Sequence, residues 1–219
     1  MQRVQKSFSL ESIDALKSKL LIWSQQFEAI SWLDSNQYNQ KYSSFDAVLA
    51  VDEFTSIKTD YTNAFDKLKE YQSITNDYLF GYLSYDLKND VEQLSSKNFD
   101  GLGFADLKMI DDEIDFDFKT ISETKIHQDK TSTSEEIKVK LRIHKEDYYQ
   151  KVNTILNHIN RGDIYEANFC QEFYAENATI NPLEVYHHLN EISEPPFATF
   201  LKCEHQYLLS ASPERYIKR

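Results

Sequence analysis

The sequence predicts an α+β fold of antiparallel strands with helices segregated to their outer faces. Three observations predict it. Stretches with apolar residues every third or fourth position are interspersed with stretches of period two. The two strand-like stretches "FATFLK" (197–202) and "HQYLLSAS" (205–212) follow one another almost directly. With only four glycines among 219 residues, the chain has no GxGxxG, no Walker-type phosphate loop and no GxSxG elbow.

The elements follow in order. Ile13, Leu16, Leu20 and Trp23 recur at helical spacing and predict a helix over residues 12–25. "FEAISWLD" (27–34) alternates as a strand does, and "SFDAVLAV" (44–51) reads as a second, more buried strand. Tyr61, Phe65 and Leu68 mark another helix. In "DYLFGYLSYDL" (77–87) Gly81 interrupts an aromatic strand, which points to a bulge or a close backbone approach. From 111 to 136 the chain is polar and acidic and reads as a solvated connection between two halves.

The second half begins with a helix over 144–161 whose one face carries Tyr148, Val152, Ile155, Leu156 and Ile159. Gly162 stands where a left-handed C-terminal cap is wanted. "DIYEANFCQEFYA" (163–175) is expected to be a strand. One of its faces would carry Tyr165, Ala167, Phe169 and Phe173, the other Glu166, Asn168, Cys170 and Glu172. In "NPLE" Asn181 is placed to cap a helix, Pro182 fits its first turn and Glu184 can reach back to the cap. After the last two strands, "SPER" turns the chain toward "YIKR". An open sheet there would expose an apolar edge, so either a partner or further chain is expected to cover it.

Composition narrows the function. The net charge of −12, from 24 basic and 36 acidic residues, argues against nucleic acid or an anionic membrane as partner. Nothing before Ile22 resembles a signal peptide, and no apolar run approaches the roughly 20 residues that span a bilayer. Cys170 and Cys203 lack CxxC spacing, so a reduced cytoplasmic protein with two core thiols is expected. His187 and His188 are neighbours on a helix and diverge, which disfavours joint metal ligation. No self-sufficient catalytic constellation emerges from the residues alone.

Five stretches, in the family's order along the chain, resemble the chorismate-utilising enzymes. "HINRGDIYEANFCQEFYA" is similar to that family's helix running into GDxYQxN and a strand, and "LNEISEPPFATFLKCEHQYLLSASPERYI" to its Pro-Phe loop, two strands and SPERF. "SWLDS" resembles LLES, "KYSSFDAVLAVD" resembles RYSRFDIVVAD, and "FGYLSYDL" resembles GGxxGYxxYDL. The wording of "PPFATF" and "SFDAVLA" is closer to the aminodeoxychorismate synthase component I branch than to the anthranilate synthase large subunit. The chain departs from the pattern at Glu166, where Gln is usual, at Cys170-Gln171-Glu172, where a Ser-Gln-Arg-like run is usual, and at Ala105, where Pro is common.

The resemblance implies antiparallel sheets packed as a sandwich, incomplete at the C-terminus. It divides the chain into an N-terminal anthranilate synthase component I-like region at 1–125, a linker at 126–140, and the start of a chorismate-binding region at 141–219. It implies an enzyme making 4-amino-4-deoxychorismate for para-aminobenzoate and folate synthesis, from chorismate and from ammonia supplied by a glutamine amidotransferase subunit. Mg²⁺ is the implied cofactor. The family's GTxPR segment, Mg²⁺-holding carboxylates and basic substrate-binding run are not among these residues, so no catalytic or metal residue is assigned and the 219 residues alone are expected to be inactive. The chemistry supports that expectation: the ring hydroxyl of chorismate has to leave as something better than hydroxide, which takes a positioned acid and a polarising cation.

Two further readings stand beside the enzyme. In relatives the LLES-like, RYS-like and Pro-Phe stretches form a tryptophan pocket, which here implies Ser35, Tyr42, Ser43, Pro196 and Phe197; hydroxyls and carbonyls would meet the ammonium and an apolar wall the ring. The residue types equally suit a serine in a turn and aromatic residues in a core. An acidic interaction domain without a ligand is the other reading. Asn168 either faces water on a supporting strand or lines a cleft.

Overall fold

The computed structural model describes residues 4–10, 12–38, 45–112, 118–125 and 137–215. In chain order the elements are α1 (Ile13–Ser24), β1 (Ala29–Asp34), β2 (Ala47–Val51), β3 (Thr55–Thr59), α2 (Ala64–Thr75), β4 (Phe80–Leu83), α3 (Lys88–Val91), β5 (Leu107–Asp111) and α4 (Phe118–Glu123). Then follow β6 (Lys140–Leu141), α5 (Lys145–Arg161), β7 (Phe173–Tyr174), α6 (Pro182–Ser193), β8 (Phe197–Cys203) and β9 (Gln206–Ser212). Every strand pairing is antiparallel, and the fold is α+β.

The chain gathers into two compact units, Met1–His127 with Pro182–Arg219, and Gln128–Asn181. β8 pairs with β1 from Ala198 to Cys203, and α6, β8 and β9 belong to the first unit.

In that first unit the four-stranded sheet runs β2-β1-β8-β9. Trp32 stands opposite Phe200, and Phe200 opposite Leu209. The face carrying Ile30, Trp32, Val51, Ala198 and Phe200 packs against Leu21 of α1 and Tyr186 of α6. Phe200 is fully buried and Trp32 is 2% exposed. Burial of side chains this large contributes roughly 1.5–3 kcal/mol each. Of the face expected for α1, Leu20 and Trp23 pack against this core, while its buried residues are Leu21 and Ser24 and Ile13 is 43% exposed. The Ser24 hydroxyl tolerates burial because it donates to the Leu21 carbonyl at 2.8 Å. Ser12 caps the helix, its hydroxyl accepting from the Ala15 amide at 3.4 Å.

A second sheet of the same unit runs β3-β5-β4, with α2 packed on it through Ala64 and Leu68 against Leu107 and Ile57. The first amides of α2 are met from a distance, by the Asp90 carboxylate accepting from Asn63 and Ala64 at 3.0 and 3.1 Å. Gly81 of β4 lies at φ +155, and a Cβ there would stand 2.0 Å from the Lys108 carbonyl oxygen. The close backbone approach expected at Gly81 is therefore the reason for the glycine. β3 and β5 have no counterpart in the sequence reading. "TSIKT" is mostly polar, and Lys108 sits in the middle of "LKMID" while only 4% exposed, its ammonium 3.1 Å from Glu53.

In the second unit α5 ends as expected. Gly162 takes φ +79, and the Asp163 amide closes the end on the His158 carbonyl at 3.0 Å. No residue of α5 is buried, and Leu156 on its apolar face is 47% exposed. The strand expected at 163–175 is regular only at Phe173–Tyr174. A strand lasts as long as its partner, and β6 offers just Lys140 opposite Tyr174 and Leu141 opposite Phe173. Tyr165 is 91% and Phe173 66% exposed, so the expected apolar face reduces to Phe169, whose ring meets Tyr148 at 5.4 Å. Cys203 is buried but Cys170 is exposed, so one of the two expected core thiols is a surface thiol.

Candidate functional site

Period-two alternation in β1 turns Trp32 and Asp34 toward α1 and α6 and leaves Leu33 on the opposite face. Asp34 is 8% exposed, and its Oδ1 accepts from the Lys17 ammonium at 2.7 Å and from the Asn36 amide at 2.9 Å. The chain then turns through Asn36 and Gln37, both in the left-handed region at φ +48 and +59. The Asn36 side chain donates to Asn190 Oδ1 and to the Pro195 carbonyl, each at 2.8 Å, and accepts from Asn190 Nδ2 at 3.0 Å. One side-chain amide thus ties the loop after β1 to the helix and the loop that precede β8.

Behind these groups the Trp32 indole donates to the Tyr186 hydroxyl at 3.1 Å. Burial, and next the Asp34 charge, push the Tyr186 phenol far above its ordinary range, so it stays neutral. His187 titrates below its ordinary value because its ring is partly desolvated and His188 is adjacent. Together these side chains border a cavity of about 350 Å³ between α1, α6 and the end of β1. None of Lys17, Asp34, Asn36, Tyr186 and Asn190 was singled out from the sequence. The available signal was the acid in "SWLDS", placed by alternation on the same face as a buried tryptophan.

Two of the expected ligand-binding stretches, those of Ser35 and of Pro196–Phe197, lie among the described residues. The amide and the hydroxyl of Ser35 both donate to the Asp46 carbonyl at 2.9 Å. Ser35 directly follows Asp34 and Phe197 directly precedes Ala198, and Asp34 and Ala198 are partners at the end of the β1–β8 pairing. Pro196 and Phe197 are half-buried, and the Arg215 guanidinium lies 5.3 Å from the centre of the Phe197 ring. Tyr42 and Ser43 lie outside the described residues. Asn168 is exposed and belongs to the other unit. Among the described residues no group of three or more His, Cys, Asp or Glu is arranged to hold a metal ion. Among them, too, no helix is long and apolar enough to cross a membrane.

Residues 28–219 match the family profile described as chorismate binding enzyme. The chain belongs to that family. The chain is 33% identical over 73 residues to aminodeoxychorismate synthase component 1 of Escherichia coli, a stretch covering 33% of this chain and 16% of that protein. It is 35% identical over 74 residues to an anthranilate synthase component I-like protein of Synechocystis, covering 33% and 15%. To anthranilate synthase component 1 of Saccharomyces cerevisiae it is 31% identical over 74 residues, covering 34% and 14%. The matched stretches thus span about a sixth of these relatives' lengths.

One departure of the chain from the family's wording has a local counterpart. Glu172, where a basic residue is usual, accepts from Arg142 Nε at 2.8 Å and from its terminal nitrogen at 3.1 Å. The same guanidinium lies 3.7 Å from the centre of the Tyr174 ring. A cation therefore stands beside position 172, carried by the partner side of the β6–β7 ribbon, and its hydrogen bond holds the Glu172 carboxyl below the usual range.

Proposed function

We propose that this chain is part of an enzyme that converts chorismate to 4-amino-4-deoxychorismate, on the way to para-aminobenzoate and folate. Ammonia comes from a glutamine amidotransferase partner, because an amine has to arrive unprotonated to act as a nucleophile. The observation that carries the reading is the family match across 28–219. The wording of "PPFATF" and "SFDAVLA" and the first of the named relatives support the aminodeoxychorismate branch. Mg²⁺, the implied cofactor, polarises the substrate when bound. This chain's own contribution is framework: β1 and β8, side by side, hold Ser35 and Phe197 at one end of the sheet. With Tyr42, Ser43 and Pro196, these residues suit a pocket for an amino acid such as tryptophan, as regulator or structural ligand.

A second reading, an anthranilate synthase large subunit, is supported by the relatives that carry that name. One product assay separates the two. The protein expressed from its own reading frame is incubated with chorismate, ammonia and Mg²⁺, and the products are resolved by chromatography. Accumulation of 4-amino-4-deoxychorismate is the expected result. Anthranilate would establish the second reading, and unconsumed chorismate would overturn both.

A further inference from the structure

β3 lies at an edge of its sheet: among the described residues it pairs with β5 alone, which leaves its other side without a ladder. The amides and carbonyls of such an edge are a template for another strand. Thr55, Ile57 and Thr59 turn to α2. The Thr55 hydroxyl is 2.7 Å from the Tyr71 hydroxyl, and Thr59 Oγ1 accepts from the Lys67 ammonium at 2.7 Å. Ile57 packs with Leu68 on the core beneath the helix. By alternation Ser56 and Lys58 turn to the opposite face, where the Lys58 ammonium lies 3.8 Å from Glu204.

A groove of about 380 Å³ runs between β3 and α2, lined by residues 57–59 and, on the helix, by Lys67, Glu70, Tyr71 and Ile74. Three consecutive strand residues border one groove only where it reaches the strand's free edge, because their side chains alternate between faces. Lys67, Tyr71 and Ile74 form one row along α2, at spacings of four and three. That row overhangs the edge of β3, and Ile74 at its end is 75% exposed.

The overhang decides between occupants. A second copy pairing antiparallel through its own β3 would bring its α2 to the same face, one strand spacing of about 4.8 Å away. Packed helix axes stay about 8–10 Å apart, so the two helices would collide. A bare strand fits. The charge of the lining is the reverse of the chain's: two lysines stand against one glutamate, where the whole chain carries −12. The carboxylates beside these lysines, Glu204 and Asp60, lie 3.8 Å away on exposed side chains and hold them weakly.

We propose that the groove between β3 and α2 binds an extended acidic-apolar peptide segment of another protein, which adds to β3 as an antiparallel strand. Main-chain hydrogen bonds supply the pairing, and alternate side chains supply the choice of sequence. Antiparallel register sets the order: acids opposite Thr59 and Lys58, beside Lys67 and Lys58, then apolar residues opposite Ile57 and Thr55, beside Tyr71 and Ile74. Neither the chemistry on chorismate nor the pocket at Ser35 uses these residues.

The probe is fluorescein-labelled Glu-Glu-Ile-Thr-Val-amide, with Lys-Lys-Ile-Thr-Val-amide as its charge-reversed control. Both are titrated by anisotropy into the protein expressed from its own reading frame. Saturable binding of the acidic peptide alone is expected, with slowed amide exchange confined to β3. Ile74→Glu, at an exposed position, should weaken binding about tenfold or more. Lys58→Glu/Lys67→Glu, also exposed, should reject the acidic peptide and accept the basic one, an exchange of preference that mere loss of structure does not produce. Equal binding of both peptides, no saturable binding, or unchanged affinity in either variant would overturn the proposal. So would self-association, seen by sedimentation without peptide, that protects the same β3 amides, because a second copy would then be the occupant.

Discussion

Asn36 and Asn190 hold each other by two reciprocal amide hydrogen bonds, at 2.8 and 3.0 Å, although 154 positions separate them in the chain. Because Asn36 also donates to the Pro195 carbonyl at 2.8 Å, removing it orphans an acceptor on each of two neighbouring segments. Asn36→Ala is therefore expected to cost roughly 2 kcal/mol, and Asn190→Ala roughly 1 kcal/mol. Urea unfolding of the two variants is the check. Equal stabilities for parent and both variants would show that water replaces the pair at no cost.

Lys17 and Asp34 provide a sharper case. Their side chains are 13% and 7% exposed, and the ammonium sits 2.7 Å from Oδ1. Lys17→Met leaves a buried carboxylate without its counter-charge and is expected to lose roughly 3 kcal/mol. Adding Asp34→Asn removes the stranded charge while keeping an acceptor for the Asn36 amide, so the double variant should be more stable than Lys17→Met alone. A double-mutant cycle by thermal unfolding measures this directly; strict additivity would refute the coupling.

Gly81 tolerates no side chain. At φ +155, with the Lys108 carbonyl 2.0 Å from where a Cβ would stand, Gly81→Ala has to part β4 from β5. The expected loss is roughly 3 kcal/mol or more. Amide exchange along β5, from Leu107 to Asp111, should accelerate with it. Parent-like protection of those amides in the variant would contradict the steric account.

Alkaline stability should depend on Tyr82. Burial, then the neighbouring Cys203 and Asp106, raise its phenol to about 12 from an ordinary 10.0. The folded state therefore holds this proton more tightly than the unfolded state does. The resulting stability is fully present below pH 10 and is lost as the pH rises toward about 12. Tyr82→Phe has no proton to lose, so its unfolding midpoint should fall less steeply across that window. Parallel curves for parent and variant would exclude the linkage.

The sequence by itself determined the elements whose causes are local. The strand at 29–34 was legible from alternation in "SWLD", the end of α5 from Gly162, the start of α6 from Pro182, and the tightness at Gly81 from a glycine among aromatics. Family membership was legible too, because short motifs in a fixed order survive where overall identity does not. Other features depended on partners distant in the chain, and only the tertiary structure decided them. "TSIKT" becomes a strand because β5 supplies its ladder, and a lysine is buried in β5 because Glu53 meets it. "DIYEANFCQEFYA" alternates well, yet it is a strand only at Phe173 and Tyr174, because β6 pairs with no more of it. The cavity beside Asp34 needed Lys17, Asn36, Tyr186 and Asn190 brought together from three segments. Periodicity reports which face of an element is apolar; hydrogen-bond and charge partners are set by where the chain returns, and no local pattern encodes that address.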